Sequence, residues 1–151
     1  MAISQAMCTS FKVDLLNGKQ AFGTTVTRGS TTADTFKIAL YTSSATLDAS
    51  TTVYTTSNEV SSSGTNYTAG GNTLSVSQVP TSTSTTAWLD FADTTWSSST
   101  ITANGALIYN STQSDAAVAV LAFGGDKTST SGDFTIIFPA ANSTSAIIRI
   151  A

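Results

Sequence analysis

Phe36-Lys37-Ile38-Ala39-Leu40-Tyr41 sets Phe, Ile and Leu at alternate positions against Lys, Ala and Tyr, the period of two that a half-buried β-strand requires. Further strands become legible on both sides of this run. Leu74 and Val76 alternate within Thr73 to Val79, with Pro80 expected to stop that run, and Ala87, Leu89 and Phe91 alternate with Trp88 and Asp90. Ile101 and the stretch Ala106 to Tyr109 flank a turn or bulge at Asn104-Gly105. Ala116 to Phe123 and Phe134 to Phe138 read as two more strands joined by a loop from Gly124 to Asp133, and Ala146 to Ile150 reads as the last. Some seven short strands with turn signals between them, and no crossover helix, predict a mainly β fold: an antiparallel β-sandwich or jelly-roll-like barrel.

Composition agrees with exposed antiparallel sheets. About a third of the chain is Ser or Thr, hydrophobic residues make up 40%, and the span between Glu59 and Asp90 holds no charge at all. Thr and Val suit a pleated surface that is half in water. At 151 residues a single domain can bury a sizeable core without staples.

The N-terminal end is written differently. Met7, Phe11 and Leu15 recur at helical spacing with Cys8 and Leu16 beside them, Ser4 is placed to cap the start, and Asn17-Gly18 supplies a left-handed stop. The expected organisation is one amphipathic helix over 1–18, a Gly/Thr/Ser-rich connector over 19–34 and a β-domain over 35–151. The helix must pack on its own sheet or on a neighbouring subunit. Asp48 to Asn72 is the least legible stretch, a polar segment with Val53-Tyr54 and Glu59-Val60 as possible short strands; loops of that length are usually functional or ordered by a partner.

Several function classes lose their chemistry here. There is no histidine, which removes the commonest general base and every Ser-His-Asp or Cys-His arrangement. Asp90 and Asp93 are the nearest carboxylate pair, and they read as a solvent-facing strand residue and a turn-initiating one. No catalytic residue and no cofactor is therefore expected. Gly124-Gly125-Asp126-Lys127-Thr128 lacks the spacing of a phosphate loop, and Asp126 with Asp133 offers too few oxygens for calcium, so no metal is expected. Cys8 is the sole cysteine and reads as a small core residue. A net charge of −3 and pI near 4.4 leave no basic footprint for direct nucleic-acid contact. No membrane-length apolar run and no signal-peptide core are visible, which sets the expectation of assembly in a host cytoplasm; the sequons at Asn66, Asn110 and Asn142 then carry no meaning. Trp88, Trp96 and the four tyrosines suit strand packing better than a sugar-stacking surface.

Several of these segments, read together with the opening Met1-Ala2-Ile3-Ser4-Gln5-Ala6-Met7-Cys8-Thr9-Ser10-Phe11-Lys12, carry a likeness. They are Asp34 to Thr42, Tyr67-Thr68-Ala69-Gly70-Gly71, Trp96 to Asn110, Phe123-Gly124-Gly125-Asp126-Lys127 and Ile147-Ile148-Arg149-Ile150-Ala151. In style the chain resembles small virion structural proteins of tailed bacteriophages of aquatic bacteria and cyanobacteria. The resemblance implies a non-enzymatic virion protein. A compact acidic β-domain with a distinct N-terminal element, Ala2 to Gly18, able to reach onto a neighbour then sets the expectation of a capsid decoration (cement) protein: a homo-oligomer, expected as a trimer, that clamps the major capsid protein or other virion proteins. The alternative is a tail, baseplate or fibre component with receptor or carbohydrate contact. Met7, Phe11, Leu15, Trp88 and Trp96 are the interface candidates.

Overall fold

The computed structural model describes residues 2–16, 18–23 and 32–151. In chain order the elements are β1 (Ala6–Met7), α1 (Thr9–Leu16), β2 (Phe36–Tyr41), β3 (Asn72–Thr73), β4 (Val76–Thr83), β5 (Thr86–Phe91), β6 (Thr94–Ser99), β7 (Thr102–Asn110), β8 (Ala116–Thr128), β9 (Gly132–Ile136) and β10 (Ile148–Ile150). The fold is mainly β, sandwich-like, with one short helix. Five strands run β1-β8-β7-β2-β3, three run β10-β5-β4, and β6 pairs with β9. All these strand pairings are antiparallel.

One long hairpin organises the molecule. β7 pairs with β8 from Asn110↔Ala116 out to Thr102↔Thr128, and β6 pairs with β9 from Ser99↔Gly132 out to Thr94↔Ile136. The two ladders are one ribbon, bent where Ile101 and Ser129 exchange backbone hydrogen bonds of 3.2 and 2.9 Å. Such bends let a strand pair leave one sheet and enter another. At the bend Ser129 Oγ donates to the Ser99 carbonyl at 3.0 Å and Ser99 Oγ to that of Gly132 at 3.1 Å, so two buried hydroxyls satisfy carbonyls that the bend takes out of register.

Aromatic packing ties the remaining elements to this ribbon. Phe11 of α1 meets Phe22 edge to face at 5.9 Å, Phe22 stacks on Phe36 of β2 at 4.1 Å, Phe36 lies 6.0 Å from Phe91 of β5, and Phe91 lies 5.9 Å from Phe138. All five rings are buried. Each contributes about 1.5–3 kcal/mol by leaving water, plus a smaller geometric term. The connector is thus more than a spacer: Phe22 is a core residue, and the part of that segment at 24–31 lies outside the described residues.

Several expectations need correction. The helix does not fill 1–18: Ser4 gives its amide to the Leu47 carbonyl instead of capping, Ala6–Met7 pairs with Val120 and Ala119 as an edge strand, and α1 has eight residues. Met7 therefore sits on β1, and the inward helical side chains are Phe11 and Leu15 beside the buried Cys8, while Val13 stays half-exposed. The stop at Gly18 is as expected, with φ of 68° and its amide bonded to the Leu15 carbonyl. Pro80 does not end its strand; β4 runs through it with one register shift spanning it and another just before, which an edge strand tolerates. The supposed Gly124–Asp133 loop is mostly strand, since β8 continues to Thr128. Asp90 is fully buried, not solvent-facing, because it lies at the end of the central strand β5, where Leu89, Asp90 and Phe91 are buried in succession. The bulge at Asn104-Gly105 is present between Ala103 and Gly105.

Candidate functional site

Two regions concentrate the chain's chemistry. The first is the segment of 48–72 that sequence leaves open. Its centre is Glu59, the only glutamate in the chain. Its carboxylate accepts Tyr54 Oη at 2.7 Å, Tyr67 Oη at 2.6 Å and the Gly70 amide at 2.7 Å. Tyr67 Oη in turn accepts the Leu40 amide, Tyr109 Oη donates to the Gly70 carbonyl, and Tyr41 Oη donates to the Thr55 carbonyl. Tyr54 stacks on Tyr109 at 4.6 Å. All four tyrosines thus serve one buttress that fixes the segment onto β2 and β7. Their phenols stay protonated: burial raises Tyr54 and Tyr67, with Glu59 adding to it, and burial pushes Tyr109 up to about 12.

The backbone closes around this buttress. Gly71 has φ of 68°, and a Cβ there would overlap the Ile38 carbonyl. A Cβ on Gly70 would lie 3.0 Å from Lys37 Nζ and 3.2 Å from Tyr109 Oη. Gly70-Gly71 therefore carries no side chain because β2 and Tyr109 occupy the space. Hydrogen bonds within the chain hold the segment onto β2 and β7.

A parallel polar knot holds the connector. Asn110 Nδ2, fully buried, donates to Asp34 Oδ2 at 2.7 Å and to Gln20 Oε1 at 2.8 Å, while Asp34 Oδ2 also accepts the Ala21 amide at 3.0 Å. Both described ends of the connector meet at the Asn110 end of β7.

The second region is the other end of the ribbon. A groove of about 460 Å³ is lined by Phe123, Lys127 and Thr128 of β8 and by residues 133–137. Five consecutive residues line it, from both faces of the strand, so the groove follows the edge of β9. Ile137, just past that strand, is 77% exposed, the most of any large hydrophobic residue described. Phe134 forms the floor, 6.4 Å from Phe123 and 6.1 Å from Trp96.

The interface candidates scatter. Phe11 and Trp96 are buried in the subunit's own core, Met7 and Leu15 are half-buried against it, and Trp88 is half-buried on β5. The indole nitrogens of Trp88 and Trp96 are buried without an acceptor among the described residues. Three of the four tyrosines are buried too, so the aromatics do not form a sugar-stacking face. Cys8 lies fully buried, and burial, with Asp48 adding to it, pushes its thiol up to about 11, an inert core position. Asp90 keeps one oxygen on the Phe91 amide at 2.9 Å while Oδ2 has no partner among the described residues; burial raises its carboxyl, with Asp93 adding to it. Asp93 accepts the Phe138 amide, Asp126 accepts Asn104 Nδ2 and Asp133 accepts the Ser98 amide. Among the described residues no three metal-ligating side chains converge, and no helix is long and apolar enough to cross a membrane.

Sequence reasoning missed Glu59, Asn110 and Ile137. Glu59 did leave a signal, as a lone carboxylate at the border of a charge-free run with Tyr54 and Tyr67 close by. Compared with known proteins, the chain matches no family model, no curated protein and no solved structure.

Proposed function

We propose that this chain is a non-enzymatic structural subunit of a bacteriophage particle, foremost a decoration protein that clamps the major capsid protein from the outer surface of the head. The observation that carries the reading is the division of the molecule. Its tyrosines, its glutamate and its buried amide side chain are engaged in holding the fold, whereas the most exposed large hydrophobic residue described, Ile137, borders the open β8–β9 groove. A rigid domain with an apolar edge groove suits repeated modest contacts, which a symmetric particle multiplies. Hydroxyl-rich, charge-poor surface supports the same role, since contacts form without desolvating many ions. The resemblance in sequence style points the same way.

The subunit assembles with itself and with capsid proteins in this reading, in the virion, after synthesis in the host cytoplasm. Electron microscopy of purified particles tests it. Density for this chain in many symmetry-related copies on the head is expected; density confined to the tail, or a few copies per particle, overturns the decoration role in favour of a tail or fibre component.

A further inference from the structure

We infer that the groove edge of β9 is a self-association site, where a second copy of this chain lays its own β9 antiparallel about a two-fold axis and extends the β6–β9 ladder to four strands. The inference deepens the proposed structural role but rests on the subunit alone.

The argument begins with how the free edges differ. Exposed edges invite pairing, and proteins blunt them with proline, bulges, charge or brevity. β4 carries Pro80 and two register shifts, β10 is three residues long with Arg149 at its middle, and β1 and β3 have two residues each. β9 has no proline, its one charge, Asp133, is tied to the Ser98 amide of β6, and its register shift lies at the Gly132 end. Its pairing with β6 is regular from Thr94↔Ile136 to Trp96↔Phe134, and among the described residues its other edge has no backbone partner. A two-stranded ladder is also marginal by itself, and three or more strands are the usual requirement.

The occupant follows from charge and shape. The groove holds one cation, Lys127, and one anion, Asp133, within a chain of net charge −3. A patch with one charge of each sign has no net charge, so two copies can meet there without the repulsion that acidic surfaces elsewhere on this chain would on average bring. Phe134 and Ile137 give the contact its apolar centre. The described parts of the connector are remote from this place: Ala21 and Asp34 are both held at the Asn110 end of β7, while the groove lies beyond the Thr102 end.

Sedimentation velocity of the full chain, from micromolar to hundreds of micromolar, tests the proposal. A reversible dimer is expected. Ile137→Lys should weaken it about tenfold or more, as edge lysines do, without lowering the melting temperature, and Val53→Lys, at an exposed apolar position elsewhere, should leave it unchanged. Lys127→Glu provides a second variant on a surface side chain: it leaves the patch with anions and no cation, so two copies repel there, and the resulting loss should shrink as salt is raised. A monomer throughout, a trimer indifferent to Ile137→Lys, or equal weakening by Val53→Lys would each overturn the edge pairing. A monomer that still decorates particles sinks the edge pairing alone, and a dimer that is absent from particles sinks the virion role alone.

Discussion

The Asn110 end and the bend end of the same long hairpin are finished in opposite ways. At the first, Asn110 bonds Asp34, and along β2 and β7 behind it Glu59 holds Tyr54, Tyr67 and the Gly70 amide while two glycines let the backbone close. At the second, a regular strand edge and an exposed isoleucine border an open groove. The difference teaches where stability and contact are separated in this molecule. Side chains committed to internal hydrogen bonds hold a long irregular segment in place, so that a partner meeting the other end, as proposed above, would not incur the cost of ordering a loop.

The largest effect should come from breaking the closed end at its tightest point. Gly71→Val places a branched side chain into the Ile38 carbonyl at a positive φ and should prevent folding, read as loss of soluble protein or of a cooperative melt. Next is Phe11→Ala, which removes the ring between α1 and Phe22 and should cost about 3–5 kcal/mol in the isolated subunit, measured by denaturant unfolding. An unchanged midpoint would show that the helix does not cap its own core. Glu59→Gln keeps the size but takes the charge away from three donors, and should cost about 1.5–3 kcal/mol, with protease cleavage within 48–72 rising ahead of global unfolding. If Glu59→Gln instead altered only self-association, the two ends would not be independent.

The smallest effect concerns Asp90, which belongs to neither end. Its carboxyl is raised by burial in the folded chain, so the folded state holds its proton more tightly than the unfolded chain does. The stabilisation from the neutral form is complete below the ordinary aspartate range and is lost as pH rises through the folded value. Asp90→Asn should therefore remove a small downward step in stability between acid and neutral pH, read from melting temperatures across that window. A wild-type profile that rises there and is unaltered by the substitution would contradict this account.

Residues in the closed end were only partly legible. Phe36 to Tyr41 announced β2 because one strand's alternation is a local property, and the bulge at Asn104-Gly105 was legible for the same reason. The glycine stop at Gly18 also depends on a few neighbouring residues. The helix start was misplaced because Met7 fits the stripe Phe11 and Leu15 share, yet pairing with Ala119 won over helical extension. Local pattern carries no information about a strand edge waiting more than a hundred residues away.

Sequence by itself determined the class of this protein: mainly β, antiparallel, with one short N-terminal helix, because side-chain periodicity and turn residues act over a few positions. It also determined that histidine chemistry and disulfides play no part. Tertiary structure alone decided that Thr94 to Ile136 folds as one bent ribbon, that Asp90 is buried, that Tyr54 and Tyr67 meet on Glu59, and that one edge of β9 lies open beside the groove. Each of these depends on which strands become neighbours. Neighbours are chosen by the total apolar burial and hydrogen bonding of the whole chain, a quantity no local window contains.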